Sequence, residues 1–283
     1  MREMRGRLLV VVIAIVLAAL VVAASALSRS SSRSQQAPRT NHPFPTAFTF
    51  TGGTTTVGVS IHGNINQFES PAGYEHIGVG SLSEGYVACY TGPGGAVHGV
   101  DTGDDDNGVF GTETIVGTSI TRSTNGPSGD GGALRLKQTF SYTSVSRTLQ
   151  IQNLLTNVSG VSLTNLVFRR QVDFDIDTGG ANGWANFLNN FSTDGYSRVT
   201  AWNFPGSAPA GLESHSMALR HLSFKKSHLA RVTGNILDDS CNADTALDPN
   251  TVQIGEDDGA TLIYDVGTLK AGRSAKIIVA YDR

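Results

Sequence analysis

Residues 149–177, LQIQNLLTNVSGVSLTNLVFRRQVDFDID, constrain the fold more than any other stretch of the chain. Residues 157–160 read as a turn between two strands. In the second strand Leu166, Phe168, Val172, Phe174 and Ile176 are apolar and fall on even positions, while Arg169, Gln171, Asp173, Asp175 and Asp177 take the odd ones. Side chains alternate faces along a strand, so the spacing predicts one buried face and one wet or ligand-facing face. Arg170 is the exception. A cation on the apolar face is expected to be paired, to sit at a bulge, or to mark where that face opens to a cleft.

Short strand-like runs recur at 46–51, 54–62, 85–91, 109–121, 133–143, 196–204, 260–266 and 275–280, punctuated by Gly, Asn and Pro. Residues 216–224 fit a strand, or a helix, since their apolar residues also recur at spacing three and four. Residues 92–108 read as a loop dense in Gly and Asp. The 33 glycines and 16% charged residues suit turn-rich β structure better than helices. The expected class is all-β, a large antiparallel β-sandwich occupying residues 46–283.

The start of the chain is of another kind. Arg2, Arg5 and Arg7 precede an uncharged apolar run over residues 8–27, and Ala24-Ser25-Ala26 offers a small-x-small cleavage site. Residues 1–27 therefore read as a secretory signal peptide, or as an uncleaved membrane anchor, since the run approaches the ~20 residues a spanning helix needs. Residues 28–45, rich in Ser, Arg, Gln and Pro, read as a disordered linker. Both readings place the domain outside the cytoplasm, with any membrane contact confined to residues 8–27. Removing residues 1–26 takes away three Arg and one Glu, changing the net charge from −3 to −5. An acidic domain without a basic run is not expected to bind nucleic acid.

Several residues are candidates for chemistry. Asp173, Asp175 and Asp177 form an acidic ladder beside Arg169 and Arg170, suited to sugar hydroxyls or to a cation. Trp184, in a Gly- and Asn-rich stretch, is a candidate for stacking on a sugar face. His76, with Glu75 and Tyr74, is the histidine to test first. Asp101, Asp104, Asp105 and Asp106 lie in a glycine-bent loop with the oxygen-rich composition Ca²⁺ favours, the alternative being an acidic surface turn. Structural Ca²⁺ is thus the one cofactor considered. Cys89 and Cys241 can form one disulfide in an oxidising compartment, or remain two separate buried thiols. No zinc, G-x-S-x-G or dinucleotide motif occurs.

Three segments, VSIHGNINQFESPAGYEHI, LQIQNLLTNVSGVSLTNLVFRRQVDFDI and DVGTLKAGRSAKIIVAY, resemble bacterial secreted β-supersandwich domains. These are the galactose-mutarotase-like proteins and the non-catalytic N-terminal domains of glucoamylase-type hydrolases, together with uncharacterised secreted proteins. The resemblance implies a supersandwich-like fold with residues 149–177 as its central hairpin. In mutarotase-type enzymes the strand after this turn carries a histidine in a His-x-Phe/Tyr context. Here it reads Phe168-Arg169-Arg170-Gln171, and no histidine lies between His98 and His215. No catalytic residue of the family carries over.

Three functions follow as expectations. The first is an exported non-catalytic domain that binds carbohydrate or another cell-envelope component. The second is a sugar-modifying enzyme, an epimerase, lyase or hydrolase, using carboxylates near 173–177. The third is a structural or adhesive surface protein.

Overall fold

Period-2 burial is clearest at residues 119–123, 134–141, 148–157 and 198–203 of the computed structural model. It describes residues 45–77, 84–102, 106–125, 132–177, 189–203, 215–233, 240–243, 252–256 and 258–283, all within the unit Ala37–Arg283. The signal or anchor expected at 1–27, the linker before Pro45, Trp184, Asp104 and Asp105 lie outside the described residues. Among those described, no helix is long and apolar enough to cross a membrane.

The strands are β1 (Thr46–Gly52), β2 (Thr55–Ser60), β3 (Ile65–Glu69), β4 (Glu84–Gly92), β5 (Gly95–Thr102) and β6 (Thr114–Val116). They continue as β7 (Ser119–Ser123), β8 (Leu134–Thr143), β9 (Thr148–Asn157), β10 (Leu163–Asp173), β11 (Asn189–Thr193) and β12 (Arg198–Asn203). The last are β13 (Ser216–Ser223), β14 (His228–Thr233), β15 (Val252–Glu256), β16 (Gly259–Leu269) and β17 (Ser274–Asp282). All pair antiparallel, in a three-stranded sheet β1-β2-β3, a five-stranded sheet β14-β16-β10-β4-β5, and a nine-stranded sheet β15-β11-β12-β13-β17-β9-β8-β7-β6. This is the large antiparallel β-sandwich expected.

Strand β9 alternates strictly between half-buried and buried positions. Its inward residues Leu149, Ile151 and Leu155 share one core with Phe168, Val172 and Phe174 of the facing sheet and with Val57, Val59, Ile65 and Phe68 of the small sheet. Phe48 and Phe50 of β1 reach Phe140 and Tyr142 of β8 at ring separations of 5.5 and 6.2 Å, docking the small sheet on the large one. Aromatic edges and faces at such distances add to the area they bury.

Three expectations are corrected, and one left open between strand and helix is resolved. Strands β9 and β10 are not a hairpin: β9 pairs with β8 and β17, β10 with β4 and β16, so the turn is an arch from one sheet to the other. Buried Asn157 pins it, donating to Val161 O and Leu269 O and accepting from Ser159 N. Residues 92–108 contain β5, whose small and polar residues hide its pairing with all of β4. Residues 109–121 are broken into β6 and β7 by a tight turn, with Gly117 at φ 57°. Residues 216–224 are strand, because β13 is clamped on both sides, by β12 and β17.

The odd face of β10 is the largest correction. Arg169, Gln171, Asp173, Asp175 and Asp177 are all 5% exposed or less. Strands β10 and β4 are buried on both faces. Outside, Val87, Cys89, Val100, Val167 and Ile263 form a second small core against Leu229 and Ala243. Cys241 reaches it through a disulfide to Cys89, with S–S 2.09 Å and Cα–Cα 5.5 Å. Arg169 donates to Ser240 Oγ at 2.8 Å and to Asn242 O. Polar alternation here marks a face roofed by another segment, not a wet one.

Candidate functional site

Three polar clusters interrupt the core, and alternation explains how side chains arrive at each. Arg170 points inward from β10 between Phe168 and Val172. It meets Glu84, the first residue of β4, through Nε to Oε1 and through Nη2 to Oε2 at 2.7 Å. Both side chains are fully buried. Glu84 also accepts from Tyr281 Oη at 2.7 Å and Ile65 N at 2.8 Å, and Arg170 Nη2 reaches Gly63 O at 2.9 Å. Burial pushes the Glu84 carboxyl up, against Arg170 and its other donors. Burial likewise opposes the Arg170 charge, but Glu84 and Tyr281 together outweigh it and raise the guanidinium pKa. Gly63 is required: its φ is +89°, and a Cβ there would sit 2.0 Å from Gln138 Oε1.

Beside this lies Asp101, buried at the end of β5. It accepts from Arg122 of β7, whose Nη2 also donates to Asp106 Oδ2 at 2.7 Å and to Phe110 O at 2.9 Å. His62 Nδ1 is 3.1 Å from Asp101 Oδ2 and 3.6 Å from Asp106 Oδ2. Of the acids singled out for calcium, Asp101 and Asp106 thus face a guanidinium and an imidazole.

The third cluster reaches the surface. At one end of the nine-stranded sheet the inward rows run one step past the core: Val199, Ala201, Asn203 on β12; Leu219, Met217, His215 on β13; Val279, Tyr281, Arg283 on β17. Register holds these rows adjacent, with Ala201 opposite Met217 and Leu219 opposite Tyr281. From the facing sheet comes Asp177, where the chain past β10 turns through a left-handed backbone, φ 65°. Asn189 Oδ1 accepts from Ile176 N at 3.1 Å, and His76 O from Asp175 N at 3.0 Å, fixing that turn. A non-glycine residue held there is a strained feature of the kind found at functional sites.

Asp177 is a buried acceptor for two inward residues. Oδ1 is 2.6 Å from His215 Nδ1, and Oδ2 accepts from Asn203 Nδ2 at 2.8 Å. His215 is a quarter exposed, and its Nε2 makes no hydrogen bond among the described residues. Its ring lies 6.0 Å from that of half-buried Tyr74 and 6.3 Å from that of His76, both edge-on. His76 is fully buried. Burial first, then the nearby Arg283 charge, lower its pKa to about 3, so it is neutral at ordinary pH. Its Nδ1 accepts the Asp177 amide at 3.1 Å, and its Nε2 is 2.8 Å from Ser70 O.

Of the residues singled out from sequence, His76 and Asp177 meet here with Tyr74. Arg170 belongs to the Glu84 pair, Arg169 to the Ser240–Asn242 roof, and Asp173 and Asp175 are buried. His215, Asn203 and Arg283 were missed. Each extends an inward period-2 row by one residue, a signal that names no meeting point until the register of three strands is known.

No protein-family model matches the chain. No curated protein matches it either. Among solved structures it is similar to a bacterial glucoamylase complexed with acarbose, with TM-score 0.50 and 9% identity over 88% of this chain and 35% of that one. It is also similar to a polysaccharide lyase, with TM-score 0.47 and 10% identity over 82% and 33%. A third is a galactose mutarotase-like protein from Lactobacillus casei, with TM-score 0.39 and 11% identity over 83% and 99%. The chain spans about a third of the glucoamylase's length. At this identity the glucoamylase likeness is one of fold, and it agrees with the fold the resemblance implied.

Proposed function

We propose that the chain is an exported, non-catalytic β-sandwich domain that binds carbohydrate at the end of the sandwich where Tyr74, Asp177 and His215 meet. The observation that carries this reading is the hydrogen bond between buried Asp177 and part-exposed His215. Asp177 fixes the imidazole so that Nε2 faces outward beside an aromatic ring, the pairing of polar tip and flat apolar surface that a sugar uses. The glucoamylase of similar fold is one complexed with acarbose, which supports a saccharide over other ligands. The signal or anchor reading of residues 1–27 supplies the exported location.

A sugar-modifying enzyme is the second reading, since a carboxylate-oriented imidazole can also move a proton. Asp173 and Asp175 weaken it. Most glycoside hydrolases need two carboxyl groups flanking the scissile bond, and these two are buried while Asp177 is filled by His215 and Asn203.

A glycan array probed with the purified protein and with His215→Ala separates the readings. Binding by the wild type that the variant loses, with the glycan recovered intact, is the expected result. No binding to any glycan sinks the proposal. Products released by the wild type and absent with His215→Ala transfer it to the enzyme reading.

A further inference from the structure

Arg283 stands in this cluster without an anionic partner. Arg122, Arg170 and Arg220 each meet a carboxylate. Arg283 has none within ion-pair distance among the described residues. Its Nε is 2.8 Å from Ser70 O and 2.9 Å from His76 Nε2. Only the first of these is a hydrogen bond. Because His76 Nδ1 accepts the Asp177 amide, the neutral ring carries its hydrogen on Nε2, and that hydrogen goes to Ser70 O. Two donors therefore converge on one carbonyl, and Arg283 Nη2 is buried with no acceptor among the described residues.

The surroundings offer little relief. Burial lowers the Arg283 pKa to about 10; Asp177 pulls the other way, and Arg147, in the turn between β8 and β9, adds to the lowering. Both Asp177 oxygens are already engaged. A half-buried guanidinium with an unused N–H is a group that receives a carboxylate in a charge-assisted hydrogen bond. One imidazole ring, His76, separates it from the Asp177–His215 pair.

We infer that the site takes an acidic saccharide, whose carboxylate Arg283 receives while His215 and Tyr74 meet the hydroxyl groups and face of the sugar. This rests on the carbohydrate reading above and narrows it to one class. Arg283 then sets specificity.

The test is calorimetric titration of the full-length protein with uronate oligosaccharides from pectin, alginate and hyaluronan, each paired with its methyl ester. The acid form is expected to bind about tenfold tighter or more, as a charge-assisted hydrogen bond would give. Added salt should shrink that preference. Arg283→Gln should bring acid and ester level. Equal binding of acid and ester overturns the inference and leaves the carbohydrate reading standing. Failure of every saccharide, charged or neutral, sinks both. Acetate or inorganic phosphate displacing the oligosaccharide at equal concentration shows a simple anion site and overturns the saccharide class. Should Arg283→Gln not fold, the wild type decides: a preference for acid over ester that salt leaves unchanged overturns the inference.

Discussion

Arg170 and Glu84 close a two-pronged ion pair in the middle of the sandwich, with neither side chain reaching water. The pair ties β10 to the start of β4, and Tyr281 brings in β17 of the opposite sheet.

Removing one partner of such a pair leaves an uncompensated buried charge. Arg170→Met or Glu84→Leu alone should cost about 3–5 kcal/mol, whereas the two together should recover most of that loss. Urea denaturation of the two single variants and the double measures the coupling. Additive losses would show that each residue acts through packing.

His76 makes stability depend on pH in a defined direction. Its folded pKa of about 3 lies below the unfolded value of 6.5. The unfolded chain therefore takes up a proton below pH 6.5 that the folded one refuses. The contribution is complete above pH 6.5 and fades towards pH 3, with a slope of up to ~1.4 kcal/mol per pH unit. His221, lowered to about 4 by burial and by His228, acts in the same direction. Raised Glu84 and Asp101 act in the opposite one. His76→Gln keeps a donor and an acceptor without titrating, so its denaturation midpoint should fall less steeply between pH 6 and 4. An unchanged slope would remove His76 from this role.

The Cys89–Cys241 bond closes a separation of 152 residues. In the chain-entropy model a loop that long contributes about 5 kcal/mol. Reduction should lower the melting temperature and free residues 240–243 from the outer face of β10, so that Arg169 amides exchange faster. Hydrogen exchange of β10 and β4 with and without reductant reads this directly; protection that reduction leaves intact would mean the roof stays in place without the bond.

Asp177 combines backbone strain with a side-chain task, and substitution separates them. Asp177→Gly should be more stable than Asp177→Ala by about 1 kcal/mol, because alanine resists the left-handed backbone. Both should lose ligand binding, since His215 and Asn203 then have no common acceptor. Equal melting temperatures for the two variants would show the φ to be relaxed in solution.

Alternation made the fold legible. It marked the strands of residues 149–177, the isolated Arg170 that needed a partner, and the inward rows of β12, β13 and β17. It could not say whether a polar face is wet. The odd face of β10 looks solvated in sequence because its roof, Ser240 to Ala243, lies far along the chain. Nor could it tell a hairpin from an arch. That choice rests on Asn157, whose carboxamide binds both the arch and Leu269. At the candidate site, His76 and Asp177 could be named in advance because each lies in a distinctive phrase. His215, Asn203 and Arg283 could not, since their meeting depends on register across three strands.

Strand β17 is the last of the described strands, yet it lies inside the nine-stranded sheet, between β13 and β9. Until it is made, β13 and β9 are open edges and the large sheet exists as two separate halves. Arg283, at its end, reaches Ser70 across 213 positions of sequence. Assembly in order of synthesis is therefore impossible for this site. The chain must hold both open edges unpaired, a state exposed to mispairing and aggregation, until the final strand slots between them.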